Sequence, residues 1–251
     1  CCGSSPAHTV DHRLSCALAA RNLAQAELVE GATAILTPCP SCLTNLKTAA
    51  HKLKKPDFAA DVSKLLEKPV SNTLPVKSVL QAIYEDIGPD GLRPKVFKRL
   101  EGLRVAPYYG CLMNRPAEVM DFDDPENPVA MDRLLEAVGA DVAPFALKVE
   151  CCGASFGVAR QDMVERMSGK LLDLAAVNAA AAMVTACPLC QMNLDLRQGQ
   201  INSANDTNHE IPVFYFTQLL GLALGIDEKT LGLGKLAVSP RKVLARAGVA
   251  S

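Results

Sequence analysis

Residues 182–194 read AMVTACPLCQMNL, and the fold is decided by how this stretch changes character. Ala182-Met183-Val184-Thr185 is a short apolar, β-like run bounded by a proline-bearing turn. Cys187-Pro188-Leu189-Cys190 follows, with proline at the position favoured for the first residue of a helix. The reading is a strand that ends where a helix begins, with two cysteines at the junction. Residues 32–46, ATAILTPCPSCLTNL, follow the same grammar, leading Ala32–Thr37 into Cys39-Pro40-Ser41-Cys42. Residues 103–111, LRVAPYYGC, bring a third strand-like run to Gly110-Cys111, with helix-compatible residues after it. Cysteines at the carboxyl ends of strands lie where open α/β sheets bind ligands.

The two CxxC junctions belong to a repeat. Cys1-Cys2-Gly3 precedes Cys39/Cys42 by 36 residues, and Cys151-Cys152-Gly153 precedes Cys187/Cys190 by 34. CCGSS matches CCGAS, and CLTNL (42–46) matches CQMNL (190–194). This is duplication. The second copy has a further cysteine, Cys111, 40 residues before Cys151. The chain opens on Cys1 without Met, so it reads as a fragment, and an upstream cysteine at the same spacing is expected. Cys16, in a helical pattern, reads as a small buried hydrophobe.

Between the motifs, helical spacing covers about Ser15–Glu30, Val76–Ile87, Pro128–Val138 and Gln161–Ala180. Strands alternating with helices predict an α/β fold with parallel sheets flanked by helices, built as two related halves. The expected organisation is a first half over 1–52 and a helical, Lys- and Pro-rich connector over 53–100. A second half follows over 101–225 and a C-terminal tail over 226–251. Ile211–Phe216 is expected as the last strand and Gln218–Gly225 as a short helix.

Composition limits function. Formal net charge is −1 and tryptophan is absent, so nothing points to nucleic acid or to an anionic membrane surface. The longest apolar stretch, Leu174–Ala186, is Ala-rich and interrupted by Asn178, and no membrane span is expected. Ten cysteines at short regular spacings, in a chain too long to need disulfide staples and without a visible export signal, favour metal or redox chemistry in the cytoplasm.

Several chemistries compete for these thiols. CxxC alone serves structural zinc or a dithiol couple. Neither accounts for the CC pairs, because a bridge between neighbouring cysteines strains the peptide. Five cysteines in the complete copy exceed the four of an ordinary cubane cluster, which points to an unusual iron–sulfur cluster. Of the histidines, His8 and His12 lie near Cys1-Cys2 and read as a solvated helix face, with proton donation the sharper alternative. His51 reads as surface and His209 as loop. Ser4, Ser5 and Ser155 follow the CCG turns as cluster donors or local caps. Asn114 and Arg115, after Cys111, are candidates for a substrate or sulfide, with a surface ion pair as the plain reading of Arg115.

The doubled CCG–CxxC pattern, with YYGC (108–111), CPLC (187–190) and FTQLLGLALG (216–225), resembles the CCG-domain family, on the branch of the catalytic subunit of heterodisulfide reductase. The resemblance implies two noncubane [4Fe-4S] clusters that face one another, with a disulfide reduced, or formed, between them. Carried over, the second cluster uses Cys111, Cys151, Cys152, Cys187 and Cys190. The first uses Cys1, Cys2, Cys39, Cys42 and the cysteine expected upstream, and is incomplete within these residues. Zinc in one half is the lesser alternative. The chain has no C-x2-C-x2-C-x3-C-P run and no GxGxxG fingerprint, so electrons are expected from a ferredoxin-like iron–sulfur subunit with a flavin-containing subunit beyond it. The alternative within the family is a non-catalytic electron-transfer subunit of a lactate, glycolate or succinate-type oxidoreductase. The disulfide itself, a small molecule or one on a carrier protein, is not specified by the sequence.

Overall fold

The structure is a computed structural model, and it describes residues 1–67, 69–70 and 73–249. In chain order the elements begin with α1 (Ser4–Val10), α2 (His12–Ala26), β1 (Ile35–Thr37), α3 (Pro40–Leu53), α4 (Pro56–Leu65), β2 (Val76–Ser78) and α5 (Val79–Ala82). A π-helical turn, Ile83–Ile87, precedes α6 (Gly88–Leu92), β3 (Arg104–Tyr108), α7 (Ala117–Met120), α8 (Ala130–Ala137) and β4 (Asp141–Val142). The remainder is α9 (Gln161–Val177), β5 (Ala182–Thr185), α10 (Pro188–Leu196), α11 (Gln198–Asn205), β6 (Val213–Tyr215), α12 (Phe216–Ala223) and α13 (Arg241–Arg246). The chain divides into two compact units: Cys1–Ala82 with Leu112–Phe122, and Ile83–Cys111 with Asp123–Ser251.

The first unit has a two-stranded parallel sheet, with Ile35, Leu36 and Thr37 opposite Val76, Lys77 and Ser78. Two strands alone bury little, so most of this unit's core is helical. Ala17 and Ala20 of α2 pack with Val62 of α4, against Leu53, Phe58, Leu66 and Val70. Asp11 separates α1 from α2, and its carboxylate accepts from Leu14 N–H at 2.7 Å, capping α2.

The second unit has a four-stranded sheet in the order β4-β3-β5-β6, parallel throughout. Every residue of β5 is buried, as expected of a central strand covered on both faces. Register aligns Tyr108, Thr185 and Tyr215 in one row at the carboxyl ends of β3, β5 and β6. That row brings Gly110-Cys111 and Cys187 out at one edge of the sheet. Helices α9 and α11 contribute Leu171, Leu172, Ala175 and Ile201 to a core that includes Cys152, Cys187 and Cys190. Three thiols are therefore part of the packed interior. In the C-terminal segment, the Asp195 carboxylate accepts from Ala237 N–H at 2.7 Å and Val238 N–H at 3.2 Å.

The α/β class with parallel sheets flanked by helices is as read. Two local expectations are corrected. Val76–Ser78 is a strand, not the start of a helix: Val76 and Ser78 are buried while Lys77 is half-buried, and β1 supplies the pairing partner. No helix starts at Cys111. Residues 111–114 form turns, because Gly110 takes a positive φ of 78° and the Arg115–Pro116 bond resists a helix just after it.

Candidate iron–sulfur centres

Each CxxC begins a helix as expected. Cys39 and Cys187 sit in extended backbone as the N-caps of α3 and α10, with Pro40 and Pro188 in the first helical position. The cap carbonyls close the first turn, accepting from Leu43 N–H and Gln191 N–H at 2.9 Å each. The N–H groups of Cys39 and Cys187 donate to Thr37 Oγ1 and Thr185 Oγ1, both at 3.3 Å. A threonine two residues before the first cysteine thus pins each junction. The free N–H groups of the first turn and the positive end of the dipole favour anionic sulfur there.

The CCG turns repeat just as closely. Gly3 and Gly153 hold φ of 90° and 80°. Their N–H groups donate back to Cys1 Sγ at 3.4 Å and Cys151 Sγ at 3.3 Å. A Cβ on Gly3 would come 2.7 Å from Ala7 Cβ, and one on Gly153 would come 3.1 Å from Val164 Cα. Both glycines are therefore required twice, by backbone angle and by space. The turn directs the second cysteine inward. Cys2 Sγ lies 3.0 Å from Cys42 Sγ, and Cys152 Sγ lies 3.4 Å from Cys190 Sγ.

The second copy gathers all five of its cysteines. Cys111 is hydrogen-bonded to Cys151, and Cys190 to both Cys152 and Cys187. The bond from Cys111 lowers the Cys151 thiol to about 6 against the opposing effect of burial. Cys152 and Cys187 are lowered first by Cys190, and Cys187 also by the N–H groups of Cys190 and Leu189 at the start of α10. Cys111 and Cys190 keep their protons and are pushed well above the ordinary thiol range, first by those same bonds and then by burial. Gly110 makes room for this set, since a Cβ there would stand 3.1 Å from Cys190 Sγ. In the first copy, burial, then the contact with Cys2, pushes Cys42 up to about 12. Cys1 is exposed, Cys39 and Cys42 are half-buried, and Cys2 is buried.

Among the described residues, no group of three or more His, Cys, Asp or Glu side chains is arranged to hold a metal ion. What fits an iron–sulfur group is the donor set itself: soft thiols only, with three of the five in the second copy, Cys151, Cys152 and Cys187, shifted towards the thiolate, and Cys152, Cys187 and Cys190 within the packed core.

Several supporting residues lie outside the sequence reading. Tyr108 Oη donates to Glu150 O at 2.7 Å, fixing the peptide before Cys151, and Tyr215 Oη donates to Ala186 O at 3.1 Å, before Cys187. Burial pushes the Tyr108 phenol up, so it stays a donor. Tyr109 Oη donates to Asp132 Oδ1 at 2.8 Å and accepts from Met131 N–H at 2.8 Å, capping α8. Lys148 Nζ, paired with Asp132, donates to Pro128 O at 2.8 Å. Its own carbonyl accepts from Tyr109 N–H and Gly110 N–H at 2.8 and 3.0 Å, which orients Cys111. Asn45 and Asn193, at the same place in each repeat, reach back to Cys2 and Cys152.

The remaining candidates are placed as follows. His8 is exposed, yet its Nε2 is 2.8 Å from Asn45 Oδ1. His12 starts α2, contacts Lys52, and lies 3.8 Å from the buried Cys16. His51 is exposed. His209 is 2.8 Å from Asp173 Oδ1. Ser4 Oγ lies 3.4 Å from Ser41 Oγ, and the Ser5 side chain lies outside the described residues. Asn114 is buried, its Nδ2 donating to Phe122 O at 2.8 Å. Among the described residues no helix is long and apolar enough to cross a membrane.

Known proteins share both the sequence and the fold. The chain is 34% identical over 246 residues to the 8-methylmenaquinol:fumarate reductase membrane anchor subunit of Wolinella succinogenes, covering 97% of this chain and 85% of that one. It is 33% identical over 237 residues to a subunit of the ferredoxin:CoB-CoM heterodisulfide reductase of Methanosarcina mazei, covering 92% and 78%. A hypothetical protein from Helicobacter pylori superposes with a TM-score of 0.75 at 12% identity, and this chain spans 44% of its length. Residues 1–47 and 105–195 match the CCG cysteine-rich domain, the two segments that hold the paired cysteine motifs. The chain belongs to the CCG cysteine-rich domain family.

Proposed function

We propose that this chain is the iron–sulfur subunit of a multi-subunit oxidoreductase that reduces a disulfide to two thiols, with a noncubane [4Fe-4S] cluster in each copy. The observation that carries the reading is the five-thiol set of the second copy, one thiol more than a cubane needs. Cys111, Cys151, Cys152, Cys187 and Cys190 would hold the second cluster. Cys1, Cys2, Cys39 and Cys42 would contribute to the first. Such a cluster supplies one-electron steps and a soft partner for sulfur.

The chain's own residues supply the rest. The first turn of α10 presents the N–H groups of Leu189 and Cys190 to the Cys187 sulfur and favours the negative charge that reduction adds. Cys152, Cys187 and Cys190, within the core, keep water from that side of the centre. The balance is one disulfide, two electrons and two protons giving two thiols. The electrons come from a ferredoxin-like iron–sulfur subunit, with a flavin-containing subunit beyond it, in a cytoplasmic complex. Relatives named as subunits of ferredoxin-dependent heterodisulfide reductases support a multi-subunit complex with ferredoxin as the electron source.

The fumarate reductase relative favours a second reading, in which the chain only relays electrons. The test is to supply the purified complex with reducing equivalents and candidate disulfides, and to count thiols. Two thiols per two electrons, with the cluster EPR signal altered by the product thiol, support disulfide reduction. Electron transfer to a quinone or fumarate site without thiol release supports the relay and overturns the first reading.

A further inference from the structure

Both copies carry an asparagine three residues after the last cysteine of CxxC, on the inner side of its helix. Asn45 and Asn193 are buried, at 5% and 0% exposure, where an amide is kept only if it is used. Asn45 Nδ2 donates to Cys2 O at 3.0 Å and Ser4 O at 3.2 Å, and shares one of its two hydrogens with Cys2 Sγ at 3.8 Å. Asn193 Nδ2 donates to Cys152 O at 3.3 Å, with Cys152 Sγ at 3.9 Å. The carbonyls can only accept, so the amide NH2, not its oxygen, must face the cysteine. Two copies of one duplication hold the same donor against the same cysteine at nearly the same distances.

The other end of the amide differs. Asn45 Oδ1 is 2.8 Å from His8 Nε2, and because the oxygen can only accept, that nitrogen carries the hydrogen. Ser15 Oγ lies 3.1 Å from the same nitrogen. Asn193 Oδ1 is buried and has no hydrogen-bond partner among the described residues. The residue six places after Cys152, where His8 stands six after Cys2, is the fully exposed Val158.

We propose that Asn45 and Asn193 are paired positioning residues that orient the second cysteine of each CCG turn and donate to its sulfur. His8, acting through Asn45, strengthens that donor in the first copy alone. This rests on the iron–sulfur reading above. A donor facing a thiolate favours the more negative, reduced state of whatever the thiolate holds, and so raises its potential. Donation into Oδ1 polarises the amide and strengthens its N–H. The first centre therefore gains more from its asparagine than the second does.

The test is redox titration of the two centres, followed by EPR, in the full-length protein within its complex, with iron measured in parallel. Asn45→Ala is expected to lower the potential of the first centre only, and Asn193→Ala that of the second only, by less. His8→Leu is expected to lower the first centre by less than Asn45→Ala does, with iron content unchanged. Unmoved potentials in iron-loaded asparagine variants overturn the proposal, as does an equal shift of both centres by His8→Leu. Should Asn45→Ala lose iron, the exposed His8 position decides, and an unmoved first-centre potential there overturns the proposal. Wild-type protein without iron would instead overturn the cluster reading itself.

Discussion

The two CCG copies share their cysteine geometry and differ in what braces it. The first rests on a two-stranded sheet, with Cys1 exposed and the polar chain His8–Asn45 behind Cys2. The second rests on the edge of a four-stranded sheet, with Cys152, Cys187 and Cys190 in the core and phenols behind Cys151 and Cys187. The parts in common are the N-cap cysteine with proline after it, the threonine before it, the left-handed glycine and the asparagine. Those are the parts that the proposed ligation would draw on in both copies. The differences show that a cysteine cradle can be stiffened either by burial in a sheet or by a local polar network.

The largest effect expected is on metal content. Cys152→Ser should remove the second centre, about four of about eight irons per chain, and abolish disulfide reduction while leaving the first centre's EPR signal. Iron analysis checks it, and loss of both signals would break the claim that the copies load separately. Next is Lys148→Met, which strands the mostly buried Asp132 carboxylate, with side chains 9% and 14% exposed. It should cost about 3–5 kcal/mol in urea unfolding and disturb Cys111, with no effect on the first unit.

Gly3→Ala and Gly153→Ala should each cost about 1–3 kcal/mol, since both force a side chain into left-handed backbone and a close contact. Parallel losses sharpen the shared half of the comparison; a tolerated change at either turn would break it. Smallest is Tyr108→Phe, which removes the bond to Glu150 O at a cost of about 1 kcal/mol. It should raise exchange of amides near Cys151 and leave those near Cys1 alone.

Legibility followed chemical rarity and distance along the chain. The duplication and the strand-to-helix junctions at the two CxxC motifs are visible because cysteine is uncommon and the spacings within each motif are local. Asn45 and Asn193 stand in the matching CLTNL and CQMNL segments, but a helical asparagine says nothing of its partner until the turn 41–43 residues away is placed beside it. Tyr108 and Tyr215 are the same case, bonding across 42 and 29 residues. Val76–Ser78 carries no strand signature of its own, because three residues before Val79, Leu80 and Ile83 continue a helical pattern. Only its partner β1 makes it a strand. His8 is exposed, in keeping with a solvated face, yet its ring is engaged with Asn45.

The central claim is that each copy is one half of an iron–sulfur machine. It is tested most directly by measuring iron, sulfide and zinc in anaerobically purified full-length protein. The account predicts about eight irons and matching sulfide per chain. Zinc without iron or sulfide would contradict it.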